Sequence, residues 1–220
     1  NNNILVASST SSNNFPITPN AVQKSLAGLQ DAALLILNPS CTNLTYSTFL
    51  GGKQNDAAYV LAIGLTGNIY VAGATASTDM TGISPSGVIK SVFVENTIKN
   101  DIQPDGFVLE LTPNGSSIIR GTYIGTDRSD EVYGIDIDKF GYIYIMGTSE
   151  GNMPVINAAY FDQGAKQFIS KLKPDLSNYE YSTVFGSVNS PVPNISPTAF
   201  MVDRCENVYV SGWGGKPNAA

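Results

Sequence analysis

Aspartate side chains are the groups in this sequence best suited to chemistry. Asp56 and Asp130 each precede a β-type segment, where a carboxylate either lines a channel and binds a cation such as calcium or caps the start of the strand. We favour the cap. Asp136 and Asp138 stand two residues apart, on one face of a strand, and a carboxylate pair can hydrolyse glycosides. No second pair converges on them, so we predict neither a catalytic nor a metal site, with calcium as the cofactor alternative.

Missing residue types exclude much other chemistry. The sequence contains no histidine, which removes His-activated nucleophiles and His-ligated zinc. Cys41 and Cys205 are too few for a disulfide framework, and we expect them not to pair because a bridge would cross most of the chain. The formal net charge is −6 and the 12 Lys and Arg residues are scattered, which argues against a nucleic-acid partner. No segment reaches the ~20 apolar residues of a membrane-spanning helix.

Aromatic residues are the remaining candidates for contact with a partner. Trp213, the only tryptophan, follows Gly212 in a glycine-rich turn, where it either stacks on a sugar, anchors a protein partner or packs inside the protein. Seven tyrosines recur at equivalent places in the chain, which favours packing between repeats over a ligand platform. These are Tyr46, Tyr59, Tyr70, Tyr133, Tyr144, Tyr181 and Tyr209.

The elements that position these residues form a repeat. One pattern occurs as NNILVAS from residue 2, GNIYVAG from 67, GYIYIMG from 141 and ENVYVSG from 206, at spacings of 65, 74 and 65. Three further segment types recur in the same order. Each reads as a β-strand, because β-branched and aromatic residues alternate and Gly, Asn and Asp lie between the segments. The glycines that close the first pattern, Gly73, Gly147 and Gly212, are expected where the backbone bends or packs closely.

About four strands per repeat predict an all-β fold. A single sheet leaves both apolar faces uncovered, and twisted sheets that stack in succession wind around an axis, as in a β-propeller. A β-sandwich is the alternative. We place the blades at residues 1–52, 53–126 and 127–187, with the start of another at 188–220. Three blades cannot close a ring, so we expect further blades outside this sequence or another chain over the open ends.

Nearly the whole chain resembles the bacterial SBBP β-propeller repeat. The resemblance rests on YSTFLGG at 46–52, AAYVLAIGLTGNIYVAGATAST at 57–78 and DGFVLELTP at 105–113, with inserts such as FPITPNAVQ at 15–23. In the inserts, Thr18-Pro19 and Ser84-Pro85 are expected to open short helical turns. Two departures concern acidic positions. Leu65 is expected to replace the aspartate of Asp138 and Asp203, and Lys166 that of Asp31 and Asp105, which weakens the case for an ion site repeated in every blade.

The last third of the chain is similar to large gliding-motility-associated surface proteins of Bacteroidetes-type bacteria. The similarity covers residues 165–169, 181–186 and 194–215. It implies a secreted, cell-surface location reached through the type IX secretion system. The predicted function is a non-catalytic binding or scaffold module whose partner is another envelope protein or an extracellular polysaccharide. The alternatives are a cargo or accessory of the outer-membrane export machinery and, third, a polysaccharide lyase or glycosidase.

Overall fold

The computed structural model describes residues 2–93, 96–98, 101–188 and 190–214. These residues form 15 β-strands, and no helix occurs among them. The strands are β1 (Ile4–Thr10), β2 (Asp31–Leu37), β3 (Leu44–Leu50), β4 (Asp56–Ile63), β5 (Ile69–Thr75), β6 (Thr97–Ile98), β7 (Asp101–Ile102), β8 (Asp105–Leu111), β9 (Ile118–Ile124), β10 (Asp130–Ile137), β11 (Ile143–Ser149), β12 (Gln167–Leu172), β13 (Tyr179–Phe185), β14 (Ile195–Val202) and β15 (Val208–Gly214).

The strands form successive antiparallel sheets. The orders are β1-β2-β3, β4-β5-β8-β9, β10-β11-β12-β13 and β14-β15, with β6-β7 as a small ribbon inside an insert. The first strands of successive sheets are neighbours, because β4 packs against β10 and β10 against β14. Sheets that meet through their first strands fan out from one side, which is how propeller blades surround an axis. The predicted all-β class with four-stranded blades is confirmed.

Alternating side chains of the second sheet fill two cores. Val71, Phe107 and Leu109 are buried in a cluster shared with the first sheet. Tyr70 and Val108, their immediate neighbours, are buried in a cluster shared with the third sheet. Because side chains alternate along a strand, one sheet supplies both junctions, and each fully buried side chain contributes roughly 1.5–3 kcal/mol. The junctions between blades therefore hold the chain together.

Every first strand has a β-bulge at the same place. The pairing slips between Ala58 and Val60 in β4, and the slip recurs in β10 and β14, which makes Tyr59, Tyr133 and Thr198 the extra residues. A bulge redirects its side chain out of the regular alternation. The bulges therefore determine which side chains reach the clefts between the first strands.

One of the two predicted turns in the inserts forms. At Thr18-Pro19 the chain makes a single turn, in which the Ala21 N–H donates to the Thr18 carbonyl at 3.1 Å. At Ser84-Pro85 the prediction is wrong, because the chain follows the outer strand, and the Ser84 N–H donates to the Gly121 carbonyl at 2.9 Å. The Ser84 hydroxyl also accepts from the Gly121 N–H at 3.3 Å, so it contacts that strand and does not cap a helical turn.

The assignment of Leu65 to the acidic turn position is also wrong. Gly64 holds that position, because its N–H donates to the Asn68 carbonyl at 2.8 Å as the Asp138 N–H donates to Tyr142 at 3.1 Å. Asp203 repeats the contact with Asn207 at 3.0 Å. The second blade therefore has a glycine, not a leucine, where the later two have aspartate.

Candidate binding site between two blades

Asp56 and Asp130 cap the loops before their strands. The carboxylate of Asp56 accepts hydrogen bonds from the Gly52 N–H at 2.7 Å, the Ser77 hydroxyl at 2.9 Å and the Thr75 hydroxyl. Asp130 accepts from the N–H of Thr126 at 2.6 Å and from its hydroxyl at 2.8 Å. These contacts are those of the favoured cap. For the calcium alternative, the described residues contain no group of three or more carboxylate or thiol side chains placed to hold an ion.

Burial makes the ionisation of two carboxylates, Asp56 and Asp105, important for how stability depends on pH. Asp56 is 1% exposed, and desolvation raises its pKa to about 6 against the effect of its hydrogen bonds, with a smaller contribution from the charge of Asp31. Desolvation likewise raises the pKa of Asp105 to about 7, although Lys90 Nζ lies 2.5 Å from its carboxylate. A raised folded-state pKa stabilises the protein below the unfolded value, and this contribution is lost as the pH rises through the folded value.

We expect Asp56→Asn to become progressively more favourable relative to the wild type as the pH rises from about 4 to 7.5. The amide imitates the protonated carboxyl and carries no charge, so the difference in the free energy of unfolding should move by up to about 3 kcal/mol across that window. Urea unfolding of both proteins at the two pH values measures it. An equal difference at both values would contradict the raised pKa.

Asp136 and Asp138 serve different neighbours. Asp136 accepts from the Val202 N–H of the next sheet at 2.7 Å. Asp138 is 4% exposed, accepts from the Phe140 N–H at 2.9 Å and pairs with Lys171 Nζ at 3.1 Å. Each carboxylate thus has a structural partner.

The two cysteines are unpaired. Both Cys41 and Cys205 are exposed and free, as expected from their separation in the chain.

The bulged tyrosines meet across the second and third blades. The rings of Tyr59 and Tyr133 are parallel within 7°, with centroids 5.2 Å apart, and Tyr59 is 42% exposed. The Tyr133 hydroxyl donates to the Glu131 carboxylate. Burial first and then Glu131 raise the pKa of Tyr59 to about 12, and the pKa of Tyr133 is raised for the same reasons. The predicted packing of recurrent tyrosines between repeats is confirmed for this pair.

A cavity of about 320 Å³ lies between β10 and β14. Glu131, Tyr133 and Thr148 line it from the third blade. Glu150 joins them, and Ile195, Ser196 and Pro197 face them from β14. Neither Glu131 nor Glu150 forms a salt bridge with any residue that the structure describes. The cavity thus combines an aromatic ring and hydroxyls with two carboxylates that lack a cationic partner.

The junction between the second and third blades has the same backbone arrangement but other side chains. It contains a smaller cavity of about 160 Å³ lined by Ala57, Ala74 and Ala76, and Glu131 borders it from the third blade. The frames agree in detail, because the Ala76 N–H donates to the Asn55 carbonyl at 2.9 Å and the Glu150 N–H to Ser129 at 2.8 Å. Glu131, Thr148 and Glu150 therefore occupy positions where the fold accepts three alanines.

Trp213 occupies the next copy of one of these positions. Trp213 of β15 pairs with Ser196 of β14. In the same way, Thr148 of β11 pairs with Glu131 of β10, and Ala74 of β5 pairs with Ala57 of β4. The Trp213 side chain is 65% exposed. The residue singled out from the sequence is thus equivalent to a residue of the cavity but does not line it.

The fold defines this protein as a β-propeller module built from repeated blades. The family model for the SBBP β-propeller repeat matches residues 119–152, which include β10 and β11. No curated protein matches the chain. In the part of the chain that the structure describes, no helix is long and apolar enough to cross a bilayer.

Proposed function

We propose that the chain is part of a non-catalytic binding or scaffold module in a large exported cell-surface protein. Its partner is another envelope protein, with an extracellular polysaccharide as the alternative. The matched repeat and the stacked sheets support a propeller module. The location outside the cell, and export through the type IX system, rest on the resemblance of residues 194–215 to gliding-associated surface proteins.

One observation carries the proposal. Two junctions share one backbone frame. Glu131, Thr148 and Glu150 stand in the later blade at the positions of the three alanines, and the later cavity is about twice as large, although Glu131 borders both cavities. Side chains that the frame does not require are the means by which a rigid scaffold acquires a binding surface.

The four aspartates considered for catalysis are each held by structural partners, which supports binding over catalysis at these residues. Asp56 and Asp130 are held by N–H and hydroxyl donors of their own loops. Asp136 and Asp138 are engaged by the next sheet and by Lys171. A general acid or nucleophile must instead reach its substrate from an open position.

Affinity capture tests the proposal. We expect the immobilised chain to enrich a defined protein from a native envelope fraction, and a glycan array probed in parallel tests the polysaccharide alternative. Enrichment of an outer-membrane translocon would favour the cargo alternative instead. Silence in both assays, or turnover of a polysaccharide by the purified chain, would contradict a non-catalytic binding module.

A further inference from the structure

We infer that the cavity between β10 and β14 binds an arginine side chain presented by a protein partner. The inference deepens the proposed binding function and rests on it. It starts from the two carboxylates, Glu131 and Glu150, which line one cavity and pair with no cation among the described residues. Elsewhere in the same chain, the buried acidic groups Asp105, Glu110 and Asp138 each have a Lys or Arg partner. The buried Asp56 and Asp130 instead accept hydrogen bonds from N–H and hydroxyl donors of their own loops.

Lys166 lies close to Glu150 but does not neutralise its carboxylate. Lys166 Nζ donates to the backbone carbonyls of Glu150 and Gly151, at 3.0 and 2.9 Å, and forms no salt bridge with the Glu150 carboxylate. Lys166 and Arg128 line a neighbouring cleft, which Glu150 also borders, and neither of these two cations lines the cavity. A ligand in the cavity therefore meets carboxylates on one wall without a competing ammonium group inside.

The fold does not require acidic residues at the positions of Glu131 and Glu150. The preceding junction forms the same backbone hydrogen bond and the same strand pairing with Ala57, Ala74 and Ala76. Glu131 lies in β10 and Glu150 directly follows β11, and neither carboxylate forms an ion pair with any described residue. Acidic residues that the frame does not use are explained by a ligand that supplies the missing charge.

The shape and chemistry of the lining favour guanidinium. A planar guanidinium can donate hydrogen bonds to two carboxylates at once and lie against an aromatic ring, which here is Tyr133. The ring is fixed from elsewhere, since it stacks on Tyr59 and its hydroxyl donates to Glu131. A preorganised aromatic wall lowers the ordering cost of binding.

A neutral sugar fits the lining less well. Covering two carboxylates with an uncharged ligand removes them from water without returning an opposite charge, and this desolvation opposes binding. A cationic ligand returns an opposite charge to the two carboxylates, which offsets the cost of their desolvation. The net charge of −6 adds a long-range attraction for a basic partner.

The test is an NMR titration of the ¹⁵N-labelled chain with the peptide acetyl-Gly-Arg-Gly-amide. Its isostere with citrulline has nearly the same shape but no charge, and methyl glucoside represents the saccharide class. We expect the arginine peptide to shift amides of 129–133, 148–150 and 195–197 with a Kd in the millimolar range, ~1 mM. The citrulline peptide should bind at least about tenfold more weakly.

Two variants keep the test specific. Glu131→Gln with Glu150→Gln preserves the shape and removes the charge. Glu131→Ala, Thr148→Ala and Glu150→Ala together give the junction side chains that the preceding junction already carries, so the fold should persist. Both should lose the localised shifts. Arginine shifts that survive in either variant, equal shifts with citrulline, or cavity shifts with methyl glucoside alone would overturn the inference.

The proposed function can fail or stand separately. If envelope capture succeeds but the arginine peptide leaves the cavity unshifted, the arginine site is wrong and the binding module stands. If the peptide binds but capture and array are both silent, the module lacks the proposed partner.

Discussion

Gly147→Ala is expected to destabilise the protein by about 3 kcal/mol or more, because the added methyl group has no room. A Cβ on Gly147 would lie 2.0 Å from the backbone oxygen of Glu131 and 2.6 Å from the ring of Phe168. The obstacle on one side is the backbone of the paired strand β10, which cannot rotate away as a side chain can. The strand pair next to the Tyr133 bulge would have to open. Urea unfolding at pH 7 measures the loss.

The same contact recurs in the second blade, which makes the effect general. A Cβ on Gly73 would lie 1.9 Å from the Ala57 backbone oxygen, so Gly73→Ala should cost a similar amount. Gly214→Ala is the control, because Gly214 also lies in a strand but its nearest contact is the Asn194 oxygen at 3.6 Å. We expect the control within about 0.5 kcal/mol of the wild type. A small loss at Gly147 as well would show that the bulged pair opens at little cost.

These glycines show how far the sequence reaches. Their recurrence at the end of one strand type predicts a close backbone approach, and the structure shows the carbonyl that each one faces. Periodicity also predicts the order of strands in each blade. Both features follow from local spacing, and the same spacing recurs along the chain.

The positions of the β-bulges are harder to predict from the sequence than the strands themselves. A bulge adds one residue to a strand, and the apolar pattern alone does not reveal which residue is extra. The sequence pattern therefore does not distinguish the two tyrosines at the bulges, Tyr59 and Tyr133, from the tyrosines of the core.

The sequence carries a signal for the cavity residues. Glu131, Thr148 and Glu150 stand where the preceding repeat has Ala57, Ala74 and Ala76. A comparison that looks for differences between copies, and not only for similarities, would have marked these positions. That they line one cavity could not be predicted, because Pro197 and its neighbours approach from the next sheet, some 65 residues further along the chain.

Ion pairs between blades were also beyond the sequence. Lys171 lies in β12, and its Nζ is 3.1 Å from Asp138 Oδ2 and 2.9 Å from Glu206 Oε2 in the turn between β14 and β15. The ammonium also lies over the rings of Tyr142 and Tyr144, at 4.4 and 4.9 Å from their centroids. Burial alone lowers the pKa of Lys171, but hydrogen bonds with Tyr144, Glu206 and Asp138 raise it above its usual range.

Lys171→Met is therefore expected to cost about 3 kcal/mol in the free energy of unfolding. The side chain of Asp138 is fully buried, and apart from Lys171 its Oδ2 has no partner among the described residues. Removing the lysine leaves a buried carboxylate uncompensated, which is more costly than the loss of the pair itself. Lys53→Met is the control, because the pair of Lys53 with Asp79 is 82% and 42% exposed and should contribute less than about 0.5 kcal/mol.

The double variant Lys171→Met with Asp138→Asn separates the two contributions. Its amide oxygen can still accept from the N–H groups of Phe140 and Tyr142, as the carboxylate does at 2.9 and 3.0 Å, and it carries no charge. We expect the double variant to recover to within about 1 kcal/mol of the wild type. Because Glu206 lies in the β14–β15 turn, the single variant should also speed amide hydrogen exchange in that hairpin. If Lys171→Met costs no more than Lys53→Met, the charge of Asp138 is balanced elsewhere, and the third blade does not hold the hairpin through this lysine.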